Sequence, residues 1–86
     1  LVLVSYPLHP PKKPDALRIE HLPRVTVPTL CVSGTKDNFG TPDELRSAFS
    51  VVPGVVTWSF VDNGRHELAK ADAEVAERIA AWVTKL

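Results

Sequence analysis

Three apolar runs, each closed by turn-forming residues, divide the chain: Leu1 to Val4 before Ser5-Tyr6-Pro7, Thr29 to Ser33 before Gly34, and Val55 to Val61 before Asp62-Asn63-Gly64. Leu1 to Val4, apolar without alternation, fits a parallel strand that is covered on both faces, while the second run is rich in β-branched residues and the third mixes aromatic and β-branched ones. Between the first two runs, Pro7 to Pro14 (PLHPPKKP) holds four prolines, which predicts an extended loop, because proline can neither continue a helix nor donate to a ladder. Asp15 to Leu22 then predicts a short helix capped by Asp15, with Leu17, Ile19 and Leu22 inward, stopped by Pro23.

The clearest local signal is Thr41-Pro42-Asp43-Glu44. Thr41 is placed as N-cap, Pro42 at the first helical position and Glu44 where it can reach back in a capping box. The helix predicted from there runs to about Ser50, with Leu45, Ala48 and Phe49 on one face. Pro53-Gly54 is a turn. A last helix is expected over about Ala71 to Lys85, where Val75, Ile79, Trp82, Val83 and Leu86 recur at helical spacing.

Strand, helix, strand, helix, strand, helix is the pattern of an α/β unit with parallel strands. Leu1 to Val4 would be a strongly apolar sheet edge, so an upstream strand is expected to pair with it. The chain also contains no methionine and opens inside that apolar run, which reads as the carboxyl-terminal part of a longer single domain. Its 44% hydrophobic and 23% charged residues are ordinary for a globular protein and leave room for one core. A formal net charge of zero, with lysines and arginines scattered, argues against a nucleic-acid partner or a basic membrane patch. No run is long enough to span a membrane and no signal peptide is visible, so a cytoplasmic location is expected. Cys31 stands alone, which rules out an internal disulfide, and mid-strand it reads as a small buried apolar residue.

Candidate chemistry centres on Asp37 and His66. Asp37 follows the second strand and His66 the third, and loops after adjacent parallel strands emerge at one edge of the sheet. An aspartate that accepts from one imidazole nitrogen fixes the tautomer and leaves the other nitrogen as a general base. The alternative for Asp37 is a turn carboxylate that caps the Lys36 to Asn38 backbone, and for His66 a solvated loop histidine. Tyr6 and His9 lie just beyond the first strand and could line a cleft there as substrate-binding residues. Three histidines so scattered argue against a metal site, and no cofactor is called for.

SYPLHPPKKP (5 to 14), HLPRVTVPTLCVSGTKDNFGTPDELR (21 to 46) and NGRHEL (63 to 68), in that order, resemble the carboxyl-terminal part of an α/β-hydrolase domain. The resemblance is to the dienelactone-hydrolase-like proteins, including the hydrolase-like family of testis-expressed proteins and NSL-complex subunits. It implies that the three runs are the last three parallel strands of that fold, with Asp37 the triad acid and His66 the triad base. It also implies an ester or acyl substrate, and an upstream half of the same domain as partner. The G-x-S-x-G nucleophile elbow does not occur in this sequence. Ser5 has no flanking glycines to make such a turn. A serine-type hydrolase segment, inactive alone, is therefore one expectation. A non-catalytic hydrolase-like binding or scaffolding module is the other.

Overall fold

Val2–Val4 (β1), Thr29–Gly34 (β2) and Val56–Val61 (β3) form one sheet in the order β1-β2-β3, with both pairings parallel. The structure is a computed structural model that describes residues 1–13, 15–68 and 71–86. Val2 pairs with Leu30, and the six residues from Thr29 to Gly34 pair in step with Val56 to Val61. The carboxyl ends of β2 and β3 therefore lie level at one edge. Pro42–Ala48 (α1) joins β2 to β3, and Asp72–Val83 (α2) follows β3.

Every residue of β2 is buried, because this strand has a neighbour on each side and a packed layer on each face. Alternation assigns its side chains to two cores. Cys31 joins Leu8, Leu22, Leu45 and Phe49 on the α1 face, where Trp58 and Phe60 also pack. Leu30 and Val32 join Val61 and Leu68 on the opposite face, with Val75, Ile79 and Trp82 of α2 against them. On that second face Arg78 of α2 donates to Ser59 Oγ at 2.7 Å and to the Phe60 carbonyl at 3.0 Å, fixing the helix to the end of β3.

The capping box at Thr41 forms as the sequence predicts. Glu44 N–H donates to Thr41 Oγ1 at 3.3 Å, and Thr41 N–H donates to Glu44 Oε1 at 3.0 Å. Leu45 and Phe49 are buried and Ala48 packs beside them, as the apolar face required. The helix itself is shorter than expected, because a 3₁₀ turn over Phe49–Val51 replaces its last turn.

Two other expectations need correction. The helix expected over Asp15 to Leu22 does not form; among the described residues the helical structure between β1 and β2 is a 3₁₀ turn at Leu22–Arg24. Its backbone groups are used in tertiary bonds instead: Arg18 N–H donates to the Leu8 carbonyl at 2.8 Å, and the Tyr6 hydroxyl donates to the Arg18 carbonyl. Leu17 is consequently exposed, whereas Ile19 is half-buried and Leu22 fully buried. The stripe on α2 is also cut short. Val75, Ile79 and Trp82 pack, but Val83 and Leu86 are exposed.

The proline-rich loop is not extended throughout. Lys13 N–H donates to the Pro10 carbonyl at 3.1 Å, closing a turn in which Lys12 takes a positive φ of 66°. Pro14, the last residue of that predicted loop, lies outside the described residues.

Candidate active site

Asp37 reaches its position because the chain turns tightly after β2. Asp37 N–H donates back to the Gly34 carbonyl at 3.3 Å, and Gly40 N–H donates to the Asp37 carbonyl at 3.3 Å. Asp37 is 1% exposed. A buried carboxylate is tolerated when its oxygens are hydrogen-bonded and faced by a partner. Phe39 N–H donates to Oδ1 at 2.8 Å, and His66 Nδ1 lies 3.0 Å from Oδ2 and 3.2 Å from Oδ1. The carboxylate thus meets the imidazole and also caps backbone, at Phe39 rather than within Lys36 to Asn38.

The loop after β3 brings His66 to meet it. Thr35 N–H donates to the Val61 carbonyl at 3.0 Å, and Lys36 N–H to the Gly64 carbonyl at 2.8 Å, so parallel pairing continues past the ends of β2 and β3. Thr35 Oγ1 accepts from Asn63 N–H at 2.8 Å. Asn63 adopts φ 59°, a left-handed conformation that asparagine tolerates better than most residues, and this turns the chain back over the sheet edge.

A carboxylate accepts only, so the neutral His66 ring facing Asp37 carries its proton on Nδ1. Nε2 then holds the lone pair, and no group among the described residues hydrogen-bonds to it. The ring is half-buried, one face stacked on Phe39 with centroids 3.9 Å apart and planes 26° from parallel. An oriented imidazole with a free nitrogen can take a proton from an attacking hydroxyl and return it to a leaving group. Beside the pair opens a cleft of about 390 Å³ lined by Lys36, Asp37, Asn38, Thr41 and Arg65.

The structure thus brings Asp37 and His66 together. Tyr6 packs elsewhere: its ring meets Phe49 edge-on at 5.2 Å, and its hydroxyl proton is committed to the Arg18 carbonyl. His9 is buried, with both ring nitrogens engaged by Glu44 and by Pro10. Neither residue hydrogen-bonds to Asp37 or His66. Ser5 follows β1 with φ 53°, but no helix follows it, and no hydrogen bond links it to His66. Burial pushes the Cys31 thiol up to about 12, which fits a packing residue and not a nucleophile. No cluster of three or more potential metal ligands occurs among the described residues.

Phe39 and Glu44 were not legible as site residues. Phe39 has no periodic partner that would mark it, and Glu44 was already accounted for by its capping role.

A parallel α/β sheet with a carboxylate and an imidazole joined at the carboxyl edge of two adjacent strands defines a class of protein whose sites sit at strand ends. The chain belongs to a particular family within that class: a family model described as an alpha/beta hydrolase domain matches residues 1–84. No solved structure matches the chain.

Proposed function

We propose that this chain supplies the acid and the base of a serine-type α/β-hydrolase, with Asp37 as acid and His66 as base in ester or related acyl hydrolysis. The observation that carries the reading is the contact of His66 Nδ1 with the buried Asp37 carboxylate, which leaves Nε2 unpartnered. In this reading Nε2 takes the proton of an attacking serine hydroxyl as the acyl bond forms, then gives it to the departing alkoxide. Asp37 holds the ring in the correct tautomer and balances the imidazolium. Water attacks the acyl-enzyme with the same help. The serine and the oxyanion-hole donors come from an upstream half of the domain, since no G-x-S-x-G occurs among these 86 residues. Within the family, the segments at 5 to 14, 21 to 46 and 63 to 68 favour the dienelactone-hydrolase-like branch.

The test is turnover of a simple ester by the protein that includes the nucleophile-bearing half. Asp37→Asn should lower kcat on the order of 10⁴-fold by presenting the wrong tautomer. A variant with near-normal rates would remove Asp37 from the chemistry. If the upstream half carries glycine or alanine at the elbow and the protein turns over no ester, the non-catalytic binding module replaces this reading.

A further inference from the structure

A second imidazole–carboxylate pair stands next to the first. Buried His9 places Nε2 2.9 Å from Glu44 Oε2 and Nδ1 2.9 Å from the Pro10 carbonyl oxygen. Both oxygens only accept, so both ring nitrogens must donate, and only the imidazolium has two N–H groups to give. A neutral ring would turn a lone pair toward one of these oxygens. The surroundings favour the charge. The Pro10 carbonyl first and the Glu44 carboxylate next raise the His9 pKa above its ordinary value, against an opposing effect of burial. The Thr41 backbone N–H first, and then His9, hold the Glu44 carboxyl below its ordinary value. The charged groups facing His9 are Glu44 on α1 and Asp37 in the loop before it, and both favour the protonated ring.

This pair is connected to the candidate site at two points. His9 N–H donates to the Phe39 carbonyl at 3.0 Å, while Phe39 N–H donates to Asp37 Oδ1 at 2.8 Å and the Phe39 ring stacks on His66. Glu44 Oε1 meanwhile accepts from Thr41 N–H at 3.0 Å. The loop that carries Asp37 is therefore held at residue 39 by the proline-rich loop and at residue 41 by α1. Phe39 is the common element, since it touches both members of the Asp37–His66 pair.

We propose that His9, clamped as an imidazolium between Pro10 and Glu44, is a positioning residue that sets the geometry of the Asp37–His66 pair through Phe39. The proposal deepens the acid–base reading of that pair and rests on it for its functional meaning. Loss of the His9 proton breaks one of its two ring hydrogen bonds, releases the loop and alters the stacking of Phe39 on His66.

The experiment is a pH titration of the protein by NMR, with nitrogen-labelled histidines assigned through His21→Gln and His9→Gln. In the unsubstituted protein both ring nitrogens of His9 should be predominantly protonated at about pH 6.5, the ordinary midpoint of imidazole. At the higher midpoint where His9 loses its proton, the Phe39 amide and the His66 Nδ1 proton should shift in step. Glu44→Gln keeps an oxygen for Thr41 N–H but withdraws the carboxylate, so it should lower that midpoint and carry the Phe39 and His66 shifts with it. A His9 ring with one bare nitrogen at pH 6.5 would overturn the proposal. So would Phe39 and His66 signals that ignore the His9 midpoint in the unsubstituted protein, a comparison that needs no variant to fold. Turnover is not read here. A coupled titration in a protein that cleaves no ester would keep His9 as a positioning residue and remove only the hydrolase reading.

Discussion

Gly34 and Gly64 approach so closely that a β-carbon on Gly34 would lie 2.1 Å from the Gly64 carbonyl oxygen. The contact is between backbone atoms at the end of β2, where the Asp37 loop begins, and in the loop that carries His66, and the Lys36 N–H bond to that same carbonyl depends on it. No side-chain rotation relieves such an overlap, so the loops must separate if the β-carbon is added. Gly34→Ala should therefore destabilise the protein by about 3 kcal/mol, at the upper end of ordinary overpacking. Urea unfolding measures this, and the His66 Nδ1 proton signal should weaken in the same variant. Stability within about 0.5 kcal/mol of the parent would mean that the two loops are not locked at this point.

Thr41 holds the entrance to α1 from both directions, accepting from Glu44 N–H with its hydroxyl and donating its own N–H to Glu44. Replacing an N-cap threonine by alanine costs about 1 kcal/mol. Thr41→Ala should show that loss in urea unfolding. Thr41→Ser, which retains the acceptor, should recover most of it.

The His9–Glu44 pair predicts a window of pH stability. The His9 pKa is raised by folding, so its contribution is complete below the unfolded imidazole value and disappears as pH rises through the folded one. The Glu44 pKa is lowered, so its contribution is complete above the unfolded carboxyl value and disappears as pH falls through the folded one. The pair is fully effective between the two unfolded values, from about pH 4.3 to 6.5. His9→Gln should remove the alkaline decline and reduce the acid one, since His9 also helps to hold the Glu44 carboxyl below its ordinary value. The check is the urea midpoint of both proteins across pH 4 to 9. Superimposable curves would show that the pair contributes nothing.

Cys31 lies among Leu8, Leu22, Leu45 and Phe49, with its thiol pushed up to about 12. Thiolate is the reactive form, and almost none exists at pH 8. A maleimide or disulfide reagent at that pH should label Cys31 only as fast as the protein opens, and denaturant should accelerate labelling in parallel with unfolding. Immediate labelling of the folded protein would contradict this packing.

The strands were legible because β2 and β3 are rich in β-branched and aromatic residues bounded by turns, and β2 is buried along its whole length. Thr41-Pro42-Asp43-Glu44 was equally legible, since capping is a contact between residues three apart. The segment Asp15 to Leu22 was misread for the opposite reason. Its local pattern permits a helix, but Leu8 and Tyr6 compete for its backbone groups from outside the window.

The same division holds at the candidate site. Sequence by itself determined that a carboxylate ends one strand loop and an imidazole the next, because strand order and turn residues are local properties. Only the tertiary structure decided that Asp37 accepts from His66 Nδ1, that Phe39 lies against the imidazole, and that His9 bonds to Glu44 instead of lining a cleft. Those relationships depend on the register of β2 against β3 and on the path of the proline-rich loop over α1. Both are set by packing between residues far apart in the chain, which no short-range pattern encodes.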